Sequence, residues 1–439
     1  MRISRPLTIL ALLTLLNFLN YVDRYLVAAV SPAFQAELGL DGLRTGLAIS
    51  AFMVGYFVTS PVFGWLGDRA RDRAASGLQT RLTRTTLMAI GVALWSAATV
   101  VSGLAAGAGS LIAARIAVGV GEASYATIAP TIIDDLAPAG KKNRWLAVFY
   151  LATPVGSALG YLLGGFLEHR YGWRSAFFVA GGPGVLLALS VLFVREPAAS
   201  KAIAGPVATA ADVHAPPRRA LGQLLRAPLY LACVVGSCAY TFALGGFAAW
   251  APKFLSAVHR MTLADADFGF GVVAVLAGIV GTLIGGALAD RGLPKDVDDQ
   301  RRLRRYLGFS AWASAIAVPF SVLVLLAGTP TGFFVAIFLC ETALFASTSP
   351  INAVVLGAVP HALRTTAMAT TIFAIHAFGD FLSPPMVGAI ADHSSLRLGL
   401  GLLPVAIAAC AVAWWIGVRL PLVRARPAGG VSAKRHAPC

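Results

Sequence analysis

The chain has 439 residues, enough for two or three soluble domains. Its composition excludes a soluble fold, because 57% of the residues are hydrophobic and only 13% are charged, whereas soluble domains average about 25% charged residues. Apolar runs of about 20 residues recur along the whole length, and each can cross a hydrocarbon core of about 30 Å. The sequence therefore predicts an all-α polytopic membrane protein.

The net charge of +15 would suit a nucleic-acid-binding protein, but the positions of the charges argue against one. Of the 35 lysines and arginines, 27 fall in the N-terminus, in alternate loops and in the C-terminal tail. Six fall in the other loops and two, Arg24 and Arg115, lie inside predicted helices. This asymmetry follows the positive-inside rule and places both termini in the cytoplasm. The first apolar segment is too long for a cleaved signal peptide, so we expect it to act as an uncleaved insertion signal.

Twelve transmembrane helices are predicted, in two pseudo-symmetric six-helix bundles. We expect an N-terminal bundle over 1–194, a cytoplasmic linker over 195–227, a C-terminal bundle over 228–419 and a cytoplasmic tail over 420–439. The linker is polar and rich in alanine and proline, which predicts low order in its middle. The predicted spans are 7–31, 43–66, 85–107, 110–136, 144–167, 173–194, 229–254, 268–289, 306–327, 331–358, 364–391 and 397–419.

The first predicted helix contains a charged pair, Asp23 and Arg24, within the stretch NFLNYVDR that begins at Asn17. Ionisable side chains inside a membrane are costly, by a few kcal/mol each on insertion scales, and usually functional. Asn17, Asn20 or Tyr21, and Arg24 share one helix face. Adjacent residues point about 100° apart on a helix, so Asp23 and Arg24 cannot neutralise each other by adjacency. Each must find a partner elsewhere.

The fourth predicted helix offers those partners, because Arg115 and Glu122 lie on one of its faces. Counted from the outer end of the helix, Arg115 lies roughly 8 Å deep and Glu122 roughly 18 Å deep. Asp23 matches the depth of Arg115, and the long side chain of Arg24 can extend toward Glu122. The pairs could simply hold helices together. Alternatively, the pairs could serve proton coupling at Asp23 and Glu122. Burial raises the pKa of a carboxyl group and a nearby arginine lowers it, so a change of conformation can decide whether the group holds a proton.

The second half carries further polar residues at membrane depth. Glu341 lies near the middle of the tenth predicted span. His376 and Asp380 in the eleventh are spaced i, i+4, so they share a face, and Pro384 and Pro385 are expected to break the helix just beyond them. Together with Asn20, Tyr21 and Trp250, these residues are our candidates for a substrate cavity.

Other kinds of site are not indicated. No third ligand accompanies His376 and Asp380 at regular spacing, so no metal is predicted. The five cysteines are scattered and are expected to be packing residues or, for Cys439, to end the chain. We find no nucleophile motif of the GxSxG type, no zinc-protease motif of the HExxH type and no phosphate-binding GxxxxGK[ST] loop. The sequence therefore predicts neither an enzyme nor a cofactor.

A short pattern closes the second and the eighth predicted spans. Gly64-Trp-Leu-Gly is followed by Asp68-Arg69, and Gly285-Gly-Ala-Leu-Ala by Asp290-Arg291, half a chain apart. The repeat resembles motif A of the major facilitator superfamily, which implies a latch at the cytoplasmic gate formed by these four residues. Twelve spans, a central linker and repeated halves are also what that superfamily requires.

Longer stretches resemble the spinster branch of this superfamily. They include NYVDRY in the first helix, ARIAVGVGEASYATIAPTIIDDLAP from Ala114 to Pro138, GGFAAWAPKFL from Gly245 to Leu255, and HAFGDFLSPPMVGAIAD from His376 to Asp392. Eukaryotic members export lysophospholipids or sphingosine phosphate. The resemblance implies that Asp23, Arg24, Arg115 and Glu122 form a proton-coupling network.

The predicted function is secondary transport of an amphipathic, lysophospholipid-like solute by alternating access, coupled to protons. The alternative within the superfamily is a proton-coupled transporter of organic anions or drug-type molecules. The expected partners are the solute, protons and the lipid bilayer, and a monomer is expected, without nucleic acid. The basic, alanine-rich and arginine-rich chain looks bacterial, which predicts a cytoplasmic (inner) membrane location. The direction of coupling stays open.

Overall fold

A computed structural model describes residues 3–75, 83–138, 142–194, 217–291, 299–359 and 363–420. Within these ranges the chain is helical apart from turns and one isolated bridge between Ile3 and Val194. The predicted all-α fold is therefore confirmed. The helices are α1 (Pro6–Ala29), α2 (Ser31–Glu37), α3 (Gly42–Ser50), α4 (Phe52–Ala75), α5 (Arg84–Gly103), α6 (Ala108–Leu136), α7 (Lys142–Tyr171), α8 (Trp173–Leu192), α9 (Pro217–Leu224), α10 (Pro228–His259), α11 (Leu263–Asp290), α12 (Asp299–Leu326), α13 (Pro330–Phe345), α14 (Thr348–Gly357), α15 (Arg364–Ile375), α16 (Ser383–His393), α17 (Leu396–Leu400) and α18 (Leu402–Arg419).

Eleven segments of the described chain are long and apolar enough to cross a membrane, where the sequence predicts twelve. The difference lies in the predicted span 364–391, which is not one continuous α-helix. α15 ends at Ile375, a π-helical turn follows over His376–Asp380, and α16 starts at Ser383. Pro384 and Pro385 stand at the start of α16, where their missing N–H groups do no harm and their rings prevent continuation of the preceding helix.

The predicted linker is helical at its C-terminal end, because α9 lies within it. Leu224 and Ala227 are buried against the C-terminal half of the chain, so this end of the linker packs as part of that half. Residues 195–216, where low order is predicted, lie outside the described residues, as does the predicted tail from residue 421 onward.

The apolar core has three parts. One consists only of residues from 3–194, and a second only of residues from 224–420. The third is shared by the two halves and brings Phe34 and Tyr161 together with Trp250 and Phe270. These shared residues lie toward the ends of helices that face the predicted outer side. The halves are therefore joined there, while each half keeps its own core toward the predicted cytoplasmic side.

Close backbone contacts close the outer side. Gly42 and Gly46 on α3 lie against Gly388 and Pro384 on α16, with no room for a side chain on either glycine. On α7 and α11, the outer ends likewise meet at Gly165 and Ala264. The conformation is thus closed at the predicted outer side.

Within the N-terminal half, α6 packs closely against α4 through Gly119. A methyl group at Gly119 would overlap the backbone carbonyl of Phe52. This close approach sets Phe52 beside the charged face of α6.

Gly119→Ala is therefore expected to destabilise the protein by about 1–3 kcal/mol, since overpacking forces the two helices apart. Thermal unfolding in detergent measures the change. Gly109→Ala on the same helix is the control, because its methyl group would meet nothing within 4 Å. Equal melting temperatures for the two variants would contradict the packing described here.

Candidate functional site: a central polar network

Two ion pairs connect α1 to α6. Asp23 pairs with Arg115, whose Nη1 lies 3.4 Å from Asp23 Oδ2. Arg24 pairs with Glu122, with Nη2 2.8 Å and Nε 2.9 Å from Glu122 Oε2. Both pairings predicted from the sequence are present. They follow from the divergence of adjacent side chains on α1, which directs each charge to a separate residue of α6.

The side chains of Asp23, Arg115 and Glu122 are fully buried, and that of Arg24 is 14% exposed. The bonding is incomplete. Arg115 reaches Asp23 only through Nη1, at distances of 3.4–3.5 Å, which is weak geometry. Its Nε and Nη2 atoms and Glu122 Oε1 have no hydrogen-bond partner among the described residues. Unsatisfied buried polar atoms are costly, so a proton or a polar ligand could improve this network.

Thr99 on α5 completes the surroundings of Asp23, since its Oγ1 donates a hydrogen bond of 3.0 Å to Asp23 Oδ2. Phe52 lies between the two arginines, with its ring centre 5.0 Å from Arg24 Cζ and 5.5 Å from Arg115 Cζ. Sequence reasoning missed both residues. A threonine or a phenylalanine in a membrane helix carries no local signal, because such residues are common there.

Three aromatic rings surround the Arg24 guanidinium. The ring centres of Tyr21, Phe52 and Tyr56 lie 5.0–5.3 Å from Arg24 Cζ, within the range of cation–π attraction. Tyr21 is a predicted cavity residue and Tyr56 is not. The Arg24 guanidinium is therefore partly exposed, is flanked by aromatic rings and is paired with the buried Glu122.

Tyr56 also joins this group to the C-terminal half. Its ring packs edge-on against His376, 6.1 Å between centres. His376 Nδ1 lies 2.9 Å from Asp380 Oδ2, and both side chains are about one-fifth exposed. The two candidate groups predicted independently, Arg24 and the His376–Asp380 pair, therefore lie on either side of Tyr56.

The other cavity candidates are more deeply placed. Asn20 is 2% exposed, and its Nδ2 has no partner among the described residues. Glu341 is 3% exposed on α13 and its Oε2 is likewise unpartnered there. Trp250 is completely buried and donates a hydrogen bond of 3.0 Å to the Pro384 carbonyl. In this conformation Trp250 belongs to the core that joins the halves.

The motif residues at the helix ends are only partly described. The side chain of Asp68 lies outside the described residues. The Arg69 guanidinium stacks on Trp65, with Cζ 4.0 Å from the centre of the ring. Asp290 accepts a hydrogen bond of 2.5 Å from the Tyr306 hydroxyl, and the carbonyl of Arg291 accepts one from Arg305. The role of these residues as a gate stays a prediction.

Comparison with known proteins identifies the class. The family model described as Major Facilitator Superfamily matches residues 13–384. The human protein spinster homolog 1 is 34% identical over 420 residues, which cover 89% of this chain and 74% of that protein. The Arabidopsis thaliana protein named "Probable sphingolipid transporter spinster homolog 2" is 31% identical over 94% of this chain and 87% of that protein.

The fold agrees with that class. A crystal structure of a bacterial homolog of the human lysosomal transporter spinster, in an inward-facing and unoccupied conformation, matches with a TM-score of 0.79. The match has 20% identity and covers 94% of this chain and 97% of that one. This chain therefore belongs to the Major Facilitator Superfamily and, within it, to the spinster family. It is a multi-pass membrane transporter and not an enzyme.

The bond from Thr99 to Asp23 can be tested directly. Thr99→Val removes the hydroxyl and keeps the shape, so we expect a loss of about 1–3 kcal/mol in unfolding free energy because a buried carboxylate loses a donor. Chemical or thermal unfolding in detergent measures the loss. Ser102→Ala on the same helix is the control, because its hydroxyl only donates to the Ala98 carbonyl one turn earlier. Thr99→Ser should restore stability; a Thr99→Val protein as stable as Ser102→Ala would contradict the assignment.

Proposed function

We propose that the protein moves an amphipathic, lysophospholipid-like solute across the membrane by alternating access and couples this movement to protons. The observation that carries the proposal is the Arg24–Glu122 pair: a partly exposed guanidinium with aromatic walls, bonded to a fully buried carboxyl group. An acidic head group that binds Arg24 competes with Glu122 for the same N–H donors.

Release of Glu122 from Arg24 has an electrostatic consequence. A buried carboxylate that loses its cation is far less stable as an anion than as a neutral acid. Glu122 then takes up a proton, and the return of Arg24 expels it. Asp23, held by Arg115 and Thr99 in the same network, is the second candidate for this exchange.

The apolar part of the solute fits the aromatic surroundings of Arg24. Phe57 packs on Phe373 and Phe381 across the halves, 5.5 Å and 6.2 Å between ring centres, next to the Tyr56–His376 contact. Two relatives from Arabidopsis thaliana are named as probable sphingolipid transporters, which fits a solute with a charged head and a hydrocarbon chain. The alternative, a proton-coupled transporter of organic anions or drug-type molecules, is favoured by the polar His376–Asp380 pair on the opposite side.

The rest of the organisation is proposed on the same basis. The two halves, 1–194 and 228–419, rock about the central network while the linker and both termini stay in the cytoplasm. Asp68, Arg69, Asp290 and Arg291 latch the cytoplasmic side when it closes. We further propose that the protein works as a monomer in a bacterial inner membrane.

Transport in proteoliposomes tests the coupling. Wild-type protein is expected to take up a fluorescent lysophospholipid faster with a pH gradient than without one. Glu122→Gln and Asp23→Asn should lose the response to the gradient because neither side chain can exchange a proton. Asp265→Asn is the matched control and should behave as wild type, because the Asp265 carboxyl group is exposed and only accepts a hydrogen bond from the hydroxyl of Thr262, the N-cap of its own helix.

The outcomes separate the hypotheses. Uptake that ignores the gradient in wild type would contradict proton coupling. Gradient-driven uptake by Glu122→Gln that equals wild type would reduce the residue to a structural role.

Competition experiments test the solute class. An unlabelled lysophospholipid is expected to inhibit uptake, whereas its water-soluble head group alone, without the acyl chain, should inhibit at least about tenfold less because it buries no hydrocarbon. Equal inhibition by the head group, or stronger inhibition by a small organic anion, would favour the alternative function.

A further inference from the structure

A carboxyl group outside the central network lies buried where the halves meet. Asp267 is in the second turn of α11, and its side chain has no exposed surface. It faces α7 at Gly165, where a methyl group would come within 2.9 Å of Asp267 Oδ2. The contact between α7 and α11 is part of the closed outer side. Asp267 is therefore buried by the same contact that closes this side.

Neither oxygen of Asp267 accepts a hydrogen bond from any described residue. The titratable groups near it on α7 are Glu168 and Tyr161. Glu168 is acidic, and the Tyr161 hydroxyl donates to the Ala248 carbonyl, 2.5 Å away. On its own helix, Asp265 is exposed and bonded to Thr262. In the part of the chain that the structure describes, no group donates a hydrogen bond to Asp267, and the nearby Glu168 adds a like charge.

An ionised carboxyl group in such a place would be strongly unfavourable, whereas a neutral one is tolerated. We propose that Asp267 is a proton-binding site of the outer gate: closure of α7 against α11 takes up a proton at Asp267, and opening exposes the group to water and releases it. The proposal concerns the gate alone and does not depend on the solute proposed above.

A second carboxyl group of the same gate has the opposite surroundings. Asp392 on α16 accepts hydrogen bonds from the backbone N–H groups of Gly42 at 2.6 Å and Leu43 at 3.0 Å. These N–H groups belong to the first turn of α3 and have no partner within the helix, and the start of a helix favours a negative charge. The closed gate therefore gives Asp392 two hydrogen-bond donors and gives Asp267 none among the described residues, so the two aspartates can be compared within one protein.

The gate can be followed by distance measurements between spin labels. Tyr171 at the end of α7 and Val258 near the end of α10 are both exposed, and they belong to opposite halves. Cysteines at these two positions, in a chain whose native cysteines are replaced by alanine, carry the labels in lipid nanodiscs without solute. The native cysteines are Cys233, Cys238, Cys340, Cys410 and Cys439.

For the unmutated gate we expect the outer distance to lengthen as the pH rises and Asp267 loses its proton. Asp267→Asn, a neutral side chain of nearly the same shape, should keep the distance short at every pH. Asp392→Asn should lengthen it at every pH, because an amide cannot accept both N–H groups as a carboxylate does. The central-network variant Asp23→Asn/Glu122→Gln should retain a pH-dependent step that the further change Asp267→Asn removes.

The proposal is overturned if Asp267→Asn opens with the same pH dependence as the unmutated gate, or if that gate shows no pH dependence. Asp267→Ala serves as a second neutral variant if the asparagine protein does not fold. Infrared spectroscopy gives an independent readout: the carbonyl band of a protonated carboxyl group should be present in the closed protein, weaker in Asp267→Asn and unchanged in Asp265→Asn. An equal band in all three proteins would also overturn the proposal.

Discussion

The structure depends on one constraint, that charged groups buried at membrane depth must be paired with groups on other helices. Asp23 and Arg24 are adjacent in α1 and diverge, so α6 must present Arg115 to one and Glu122 to the other. The close approach of α6 to α4 at Gly119 then sets Phe52 between the two arginines. The same helix contacts that pack the N-terminal half therefore also position the charged groups at its centre.

The central network of the N-terminal half is connected to the C-terminal half by side-chain contacts. Arg24 contacts Tyr56, and Tyr56 contacts His376, which is paired with Asp380 in a π-helical turn. Such turns are frequent at functional sites because they shift side chains out of the regular helical register. A movement of one half against the other changes the Tyr56–His376 contact, and Tyr56 in turn contacts Arg24 of the Arg24–Glu122 pair. Central chemistry and domain movement can therefore influence each other through side chains already in contact.

Much of this could be predicted from the sequence because it follows from local rules. Apolar length gives the spans, and helical geometry gives the divergence of Asp23 from Arg24 and hence two separate partners. The break before Pro384 follows from proline chemistry. Long-range packing could not be predicted in this way. Thr99, Phe52 and Tyr56 reach the centre only because α4 and α5 pack on α6, and their spacing within their own helices carries no sign of it. The burial of Trp250 depends likewise on the conformation in which the outer side is closed.

The charge balance of the closed outer side complements that of the centre. Asp392 receives two backbone N–H groups from α3, while Asp267 receives none. In Glu122 the two oxygens of one carboxyl group differ in the same way: Oε2 accepts a hydrogen bond from Arg24, and Oε1 has no partner among the described residues. Carboxyl groups whose surroundings change with conformation are what coupling between protons and movement requires.

The central claim is that a solute displaces Arg24 from Glu122 and thereby moves a proton. The most direct test is the internal pH of proteoliposomes, recorded with a trapped dye when lysophospholipid is added without any initial gradient. We expect a pH change that accompanies uptake by wild-type protein and is absent from Glu122→Gln. Uptake by wild-type protein with no pH change, or an undiminished pH change in Glu122→Gln, would contradict it.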